Sequence, residues 1–316
     1  MSADPQRGSS CSSDQIASRQ TRSDKRCRWH PRIGSRRSAQ ASVVVVTYRA
    51  LALDLDGTLL GPDGHVSDGN RRAVKAAAAA GWHVVLATAR WYQQAERVAR
   101  EIGLVDPVIA CSGAEVRRLR DGVDLFDMRL PAAFASRLYD LCDEADGMAY
   151  VYQDRDVLLR SADDARRDDR PEVRRLRSLA NADADPTPRC ALVFGDELSA
   201  SVVETLLPAW RDDVHFLNSM TGRGARVLTL TSSGADKGVA LQVACADLGI
   251  AVSEVVAMGD SETDVEMFRV AGASVAMGQA SPAVQKTATW VTTTNTDDGV
   301  GRAITQLLDG RDHVTP

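Results

Sequence analysis

The chain has 316 residues, of which 44% are apolar and 26% charged, as is typical of a globular protein with room for two domains. No apolar stretch approaches the roughly 18 residues that a membrane-spanning helix needs, so we expect no membrane partner. The net charge of −5 divides into +6 for residues 1–42 and −11 for the rest, and such an acidic body disfavours nucleic-acid binding.

Residues 1–42 form a basic head that is rich in Ser, Arg, Gln and Ala. Because the head has almost no large apolar residues, we expect it to be disordered and leave it out of the fold. It lacks the apolar segment of a secretory signal and faintly resembles an organellar transit peptide. A translation start near residues 43–46 and a tether to an anionic partner are the alternatives.

The six cysteines are scattered and include no CxxC pair. They are Cys11, Cys27, Cys111, Cys142, Cys190 and Cys245. In a chain of this length, such spacing indicates reduced thiols and a cytoplasmic location, and it does not indicate a disulfide framework or a zinc site.

From residue 43 onward, apolar runs alternate with helical periodicity, a pattern that indicates βαβ units and a parallel sheet. Up to residue 114 we predict a strand at 49–55, a helix capped by Ser67 or Asp68 and stopped by Gly81, a strand at 83–87, a helix at 91–102 and a strand at 107–111.

After Gly113 the pattern changes, and the α/β rhythm resumes only at Lys237. Between these points we predict short strands within 114–128, helices at 132–145 and 197–209, strands at 190–195, 214–218 and 226–231, and little periodicity over the Arg- and Asp-rich stretch 153–189. Beyond them we predict a helix at 237–248, a strand at 254–258, a helix at 262–270, a strand at 273–276 and short elements to about 308.

These elements predict an α/β fold with a Rossmann-like parallel-sheet core of two sequence-distant halves, 43–114 and 229–316. An α+β cap domain at 115–228 is inserted between the halves. Ligands of such sheets bind beyond the carboxyl ends of the strands, and the motifs below lie at those ends.

Two aspartates end the first strand, in Leu51-Ala-Leu-Asp-Leu-Asp-Gly-Thr58. Alternation along a strand sends Asp54 and Asp56 to the same side, and Gly57 allows a sharp turn. Two carboxylates a few ångströms apart repel by roughly 4 kcal/mol at an effective dielectric of about 20. A hard cation such as Mg²⁺ offsets that cost, whereas the alternative is an ordinary Asp-Gly turn.

Three further signals lie at strand ends or helix starts. They are Thr88 and Arg90 after the second strand, Lys237 at the start of a helix, and Asp260 and Asp264 after the strand at 254–258. Taken singly, they are also explained as a helix cap, a solvated surface charge and an acidic helix N-terminus. Together they suffice for metal-assisted attack on a phosphate, in which a carboxylate forms an aspartyl-phosphate.

On these motifs the chain resembles the haloacid dehalogenase-like (HAD) hydrolase superfamily, and within it the Cof-like phosphatases with a large inserted (type II) cap. The resemblance covers about residues 49–308. It implies that Asp54 is the nucleophile. It also implies that Asp56 is the general acid/base, which protonates the leaving alcohol and then activates water.

The resemblance also implies how the remaining residues act. Thr88 and Lys237 would hold the phosphate. Mg²⁺ would be bound by Asp54, the backbone carbonyl of Asp56, and Asp260. The supporting residues would be Asp264, Arg90 and Asn295.

The chain departs from the family pattern at three places. They are Ser112-Gly-Ala in place of Asn-Gly-Ala, Thr263 in place of the asparagine in Gly-Asp-x-x-Asn-Asp, and Gln279 in place of the asparagine in Met-Gly-Asn. None of these changes removes a catalytic group. The Arg cluster of the cap predicts a solvated charged face, with a clamp for an anionic substrate as the alternative. Its members are Arg166, Arg167, Arg170, Arg174 and Arg175.

The sequence therefore predicts a Mg²⁺-dependent phosphomonoester hydrolase that acts on a small phosphorylated metabolite, a sugar phosphate or a cofactor precursor. The cap would close over the substrate and exclude water. A sugar phosphomutase, which incubation with a bisphosphate sugar would reveal, is the alternative enzyme. A noncatalytic module that binds a phosphorylated ligand is the alternative from another class.

Overall fold

The computed structural model of the chain describes residues 47–163, 168–182, 187–220 and 226–310, without the side chains of Asn181 and Met220. The disorder predicted for residues 1–42 and the two arginines at 166–167 lie outside the described residues.

The strands that this part of the chain forms are β1 (Ala50–Leu53), β2 (His83–Ala87), β3 (Val108–Ala110), β4 (Glu115–Arg117), β5 (Asp124–Asp127), β6 (Met148–Tyr152), β7 (Val157–Arg160), β8 (Val173–Leu176), β9 (Cys190–Phe194), β10 (Val214–Met220), β11 (Arg226–Ser232), β12 (Val255–Gly259), β13 (Ala273–Ala276) and β14 (Trp290–Val291). The α-helices are α1 (Asp68–Ala79), α2 (Tyr92–Ile102), α3 (Ala132–Glu144), α4 (Asp196–Trp210), α5 (Lys237–Leu248), α6 (Val265–Val270), α7 (Pro282–Gln285) and α8 (Gly299–Leu308).

The first sheet has eight strands in the order β14-β13-β12-β1-β2-β3-β4-β5. Neighbouring strands from β14 to β3 are parallel, and β4 and β5 add an antiparallel hairpin at one edge. Because β1 lies between β2 and β12, two segments that are far apart in sequence form one sheet. The prediction of a Rossmann-like core built from two sequence-distant halves is confirmed.

Helices cover both faces of the first sheet. Leu51 and Leu53 of β1 pack on one face with α1, α2 and α8, whereas Ala50 and Ala52 pack on the other face with α5, α6 and α7. A strand that is buried on both faces is apolar throughout. This double burial explains the uninterrupted apolar run that precedes Asp54.

The second sheet has six strands in the order β10-β11-β9-β6-β7-β8, and only β7 and β8 are parallel neighbours. Helices α3 and α4 pack on one of its faces, through Phe134 and Val202 among others. The predicted inserted α+β segment is confirmed, and we call the second sheet with α3 and α4 the cap. The predicted domain bounds remain a prediction, and β4 and β5, which lie within 115–228, pair with the first sheet.

Two local predictions differ from the structure. The Arg-rich stretch that showed little periodicity contains β7 and β8, because strands of only four residues without regular apolar alternation carry a weak signal in the sequence. The predicted helix at 262–270 consists of a 3₁₀ turn, Glu262–Asp264, followed by α6. Among the described residues, no helix is both long and apolar enough to span a bilayer.

Candidate active site

The predicted site residues follow neighbouring strands of the first sheet. Asp54 follows β1, Thr88 follows β2, and Asp260 follows β12, while Lys237 is the first residue of α5. Leu53 is in register with Leu86 of β2 and with Met258 of β12, so these three strands end side by side. The carboxyl edge of the sheet therefore brings together groups that are up to two hundred residues apart in the sequence.

Lys237 is buried, at 1% exposure, and makes two ion pairs. Its Nζ lies 2.7 Å from Oδ1 of Asp54 and 2.6 Å from Oδ1 of Asp264. The side chain of Asp236 caps α5 by accepting hydrogen bonds from the backbone N–H groups of the next turn, which fixes where the helix begins. Burial alone would lower the pKa of Lys237, but the Asp264 and Asp54 carboxylates outweigh burial and raise it. The ammonium group is therefore charged.

Three carboxyl groups converge beside this ammonium. Asp54, Asp260 and Asp264 each offer an oxygen atom, and the three oxygens lie within 4.8 Å of one another. Oδ1 of Asp264 pairs with Lys237, and its Oδ2 accepts hydrogen bonds from the backbone N–H groups of Asp260 and Ser261, at 3.0 and 2.9 Å. Asp264 thus holds Lys237 and the loop after β12, the supporting position that the family pattern implies.

Burial, together with the charge of a neighbouring carboxylate, raises the pKa values of two of these acids. Burial, followed by the neighbouring Asp264, raises the pKa of Asp54 to about 8 despite the opposing effect of Lys237. Burial and Asp264 also raise the pKa of Asp260 to about 6. When all three acids are ionised, one ammonium leaves two negative charges uncompensated. A divalent cation that prefers oxygen ligands, such as Mg²⁺, fits this donor set in charge and in chemistry.

Asp56 lies apart from the acid cluster. Its carboxylate accepts two hydrogen bonds from Arg90, 2.7 Å from Nε to Oδ2 and 2.5 Å from Nη2 to Oδ1. The prediction that strand alternation sends Asp54 and Asp56 to the same side relied on a strand that ends before both residues. The strand ends at Leu53, and the chain turns at Gly57, which has φ +83°. Asp54 and Asp56 nevertheless line the same cavity.

Thr88 is buried beside the cavity, at 1% exposure, and its Oγ1 accepts a hydrogen bond of 3.1 Å from the N–H of Arg90. It does not cap α2, because the residue before that helix is Trp91. The hydroxyl hydrogen of Thr88 is therefore left to donate to an anion. Thr88 and Lys237 both line the cavity, as a shared phosphate site requires.

Ser112 is a candidate that the sequence reasoning recorded only as a departure from the family pattern. It is 4% exposed, lines the cavity, and its Oγ has no hydrogen-bond partner among the described residues. Its backbone is left-handed, with φ +55°. Ser-Gly-Ala in place of Asn-Gly-Ala was the sequence signal that could have identified it.

Asn295 lies behind the site and braces its loops. Its side chain donates to the carbonyl of Leu60, at 2.9 Å, and its backbone N–H donates to Oε1 of Gln279, at 3.1 Å. Nε2 of Gln279 in turn donates to the carbonyl of Gly57, at 2.5 Å. Asn295 and Gln279 therefore fix the turn that follows Asp56, and sequence reasoning did not anticipate this role for Gln279.

A cavity of about 890 Å³ lies between these strand ends and the cap. Among the described residues, no arginine of the stretch 153–189 lines it. Arg170 instead pairs with Asp168 and lies over the rings of Trp91 and Tyr150, and Arg189 is 1% exposed. Of the predicted Arg cluster, Arg170 is therefore only partly exposed, and neither Arg170 nor Arg189 lines the cavity as a clamp.

Comparison with known sequences gives a match to one protein family over residues 51–304, and that family is described as haloacid dehalogenase-like hydrolase. The 5-amino-6-(5-phospho-D-ribitylamino)uracil phosphatase YwtE of Bacillus subtilis is 28% identical, over 83% of this chain and 99% of its own length. The pyridoxal phosphate phosphatase YbhA of Escherichia coli is 26% identical, over 82% and 98%.

Comparison with solved structures supports the fold. A haloacid dehalogenase-like hydrolase from Bacteroides thetaiotaomicron aligns with a TM-score of 0.73 and 24% identity, over 83% of this chain and all of its own. The family and fold that the sequence motifs indicated are thereby confirmed.

Proposed function

The chain belongs to the haloacid dehalogenase-like hydrolase family and is a phosphatase, and we propose that it hydrolyses a small phosphorylated metabolite with Mg²⁺ through an aspartyl-phosphate. The contact of Lys237 with Asp54 and Asp264, beside Asp260, carries the proposal. Two relatives are named for phosphorylated small molecules, which supports a cofactor precursor or sugar phosphate as substrate.

We assign the nucleophile to Asp54. Lys237 holds its Oδ1, so Oδ2 attacks the phosphorus while the bond from phosphorus to the alcohol oxygen breaks. Lys237 and Thr88 bind phosphate oxygens as negative charge accumulates. In the second step, a water oxygen attacks the same phosphorus, which frees the Asp54 carboxylate and releases inorganic phosphate.

We assign proton transfer to Asp56. In its acid form it protonates the departing alcohol oxygen, and as a carboxylate it then accepts the proton of the attacking water. Its side chain is 59% exposed at the cavity and is held by Arg90. Each carboxylate oxygen of Asp56 keeps a lone pair that Arg90 does not use, so Arg90 can position Asp56 while the proton is transferred.

We assign the Mg²⁺ site to side-chain oxygens of Asp54 and Asp260 and the carbonyl of Asp56, with Asp264 in support. When bound, Mg²⁺ supplies positive charge that neutralises the phosphate oxygens and the acid cluster.

We also propose that the first sheet with its helices acts as a catalytic core and the second sheet with its helices as a cap. We propose in addition that the enzyme works in the cytoplasm, where its described cysteines stay free.

The test is phosphate release from a panel of phosphorylated metabolites, with Mg²⁺ or with a chelator. We expect the chelator to abolish release, and Asp54→Asn to lower kcat by at least about 1,000-fold without unfolding the protein. Asp63→Asn, an exposed acid outside the cavity, is the matched control and should keep wild-type kcat. Turnover by Asp54→Asn at the wild-type rate would refute the assignment of Asp54 as the nucleophile.

A further inference from the structure

The cap presents one face of its sheet to the cavity. In antiparallel strands, residues directly opposite each other share a face. Phe194 is opposite Val227, Leu192 is opposite Thr229, and β10 places Leu217 and Ser219 opposite Thr229 and Val227. These six residues line the cavity, and we call them the cap wall. The other face of the sheet, with Val193 and Leu228, packs on α3 and α4.

The cap wall is neutral and mostly apolar. Four of its members are Leu192, Phe194, Leu217 and Val227, and the other two offer only hydroxyl groups. Strand β10, at the edge of the cap sheet, also contributes Phe216 and Asn218 to the lining of the cavity, and neither residue is charged. Among the described residues, every charged group that lines the cavity follows a strand of the first sheet or begins α5, and none belongs to the cap.

The cations on the core side of the cavity already have partners. Lys237 pairs with two acids, and Arg90 pairs with Asp56. A second anionic group on the substrate would meet no unpaired cation in the described lining. On the cap side of the cavity, only three of the eight described lining residues carry a polar side-chain group, so a hexose would meet more apolar groups than hydrogen-bonding partners there.

Aromatic rings stiffen one side of the cap wall. Trp91, which also lines the cavity, stacks on Tyr150 with centroids 5.7 Å apart, and Tyr150 meets Phe194 edge to face, also at 5.7 Å. The indole N–H of Trp91 donates to Glu172 at 3.2 Å, and Arg170 covers the outer faces of Trp91 and Tyr150. Phe194 is only half-buried, so part of its apolar surface faces the cavity and is open to a ligand.

We propose that the alcohol part of the substrate is a flat ring system without net charge, which packs against Phe194 and the cap wall while its single phosphate lies at Asp54. This inference rests on the proposed phosphatase activity. It narrows the substrate class to phosphate monoesters whose alcohol part contains a flat ring, which we call ring-bearing esters. Offset or edge-to-face contact between rings is favourable beyond the burial of apolar area alone. Phe194 is therefore assigned as a specificity-determining residue.

The experiment measures kcat/KM with Mg²⁺ for five esters. Benzyl phosphate and pyridoxine 5′-phosphate carry rings, glycerol 3-phosphate carries none, glucose 6-phosphate is a polyol, and fructose 1,6-bisphosphate has a second phosphate. All five have alkoxide leaving groups, so binding dominates the comparison. We expect kcat/KM for the ring-bearing esters to exceed the other three values by at least tenfold.

Two variants make the same substitution in the cap. Phe194→Leu keeps an apolar side chain on the cap wall and should lower kcat/KM for both ring-bearing esters about fivefold, with glycerol 3-phosphate within twofold of wild type. Phe134→Leu removes a ring from the opposite face of the cap, where Phe134 packs edge-on against Trp210. It should destabilise the cap without changing the ratio of ring-bearing to ringless substrates.

The possible failures are distinguishable. Preference for glucose 6-phosphate or the bisphosphate would overturn the ring inference and leave the phosphatase intact. An equal loss on every ester in Phe194→Leu would also overturn it. If none of the five esters is hydrolysed in the presence of Mg²⁺, the proposed function is refuted, and the ring inference is refuted with it.

Discussion

At the scale of single residues, the arrangement of the candidate active site depends on the buried ammonium group of Lys237. A charge in the interior is tolerated only when it is paired, and Lys237 is paired twice, with Asp54 and Asp264. Asp264 is fully buried and binds two backbone N–H groups of the loop that carries Asp260. The same contacts that hold the acids together therefore keep Oδ1 of Asp54 in one place.

Ser112 gives the first prediction at this scale. Its hydroxyl is buried without a partner in the described protein, so Ser112→Ala removes an unsatisfied group and should leave the free energy of unfolding unchanged or slightly higher. If the hydroxyl binds substrate, KM should rise severalfold with a smaller change in kcat. Urea unfolding and steady-state kinetics measure the two effects.

Ser199→Ala provides the matched control, because its buried hydroxyl also lacks a partner among the described residues but lies in α4, away from the cavity. It should leave KM unchanged. An unchanged KM in Ser112→Ala would assign the Ser112 hydroxyl to packing alone.

At the scale of elements, the turn after β3 is held against the start of α5. Cys111, Ser112 and Gly113 have φ of 51°, 55° and 100°, a run that side chains adopt only under constraint. A Cβ on Gly113 would lie 2.2 Å from the carbonyl oxygen of Asp236, the residue that caps α5. The strain therefore orients Ser112 and lets α5 bring Lys237 to the site.

Gly113→Ala should therefore damage both stability and activity. We expect a loss of more than about 2 kcal/mol in the free energy of unfolding, from positive φ and the clash together, and a lower kcat because Asp236 must shift. Gly81→Ala is the control, since Gly81 has φ +86° but an added Cβ meets no described atom within 4 Å. It should cost about 1 kcal/mol and leave kcat intact, and equal effects of the two variants would refute the argument.

The junction of the cap with the edge hairpin of the first sheet rests on Arg189. Its Nε lies 2.8 Å from Oδ1 of Asp127 in β5, and its Nη1 donates to the carbonyls of Gln153 and Asp154 at 2.8 and 2.7 Å. The guanidinium also covers the ring of Tyr152. One buried side chain thus joins strands of both sheets.

Arg189→Met should lower the free energy of unfolding by more than about 2 kcal/mol, because it removes the donor to the carbonyls of Gln153 and Asp154, although Asp127 keeps its pair with Arg129. Arg269→Met, which breaks an exposed pair with Glu266 on α6, should cost less than about 1 kcal/mol. Urea denaturation of the three proteins measures both values. A loss at Arg189 as small as that at Arg269 would mean that the junction does not depend on this cation.

At the scale of the whole molecule, the chain passes between the two sheets after β5 and after β11. The two crossings lie side by side, since a Cβ on Gly234 would be 3.1 Å from Cε of Met128. The cavity opens between the sheets, so substrate contacts come from both, whereas the acid cluster belongs to the core alone.

Mg²⁺ should stabilise the whole fold through that cluster. A ligand that binds only the folded state at 100 times its Kd adds about 2.7 kcal/mol, which corresponds to a rise in Tm of about 5–10 °C. Thermal unfolding of chelator-treated protein, with MgCl₂ or with NaCl of equal ionic strength, measures the rise. Asp260→Asn should abolish most of it, and an undiminished rise in that variant would place the ion elsewhere.

The sequence by itself determined the core and the order of its motifs. Doubly buried strands produce apolar runs, and caps such as Ser67 and Asp236 mark helix starts, so local signals sufficed for β1, α1 and α5. The motif residues follow core strands or begin α5, which is why Asp54, Thr88, Lys237 and Asp260 could be predicted as site residues from the sequence.

Only the tertiary structure decided the rest, because it depends on contacts between distant segments. The pairing of Asp56 with Arg90, the brace from Gln279 to Gly57, and the unpartnered hydroxyl of Ser112 leave no periodic trace in the sequence. The cap strands in the Arg-rich stretch were missed because four-residue strands become stable by pairing with neighbouring strands, and this pairing is not visible in the sequence. The face of the cap that meets the cavity is likewise set by strand register, which a chain acquires only when it folds.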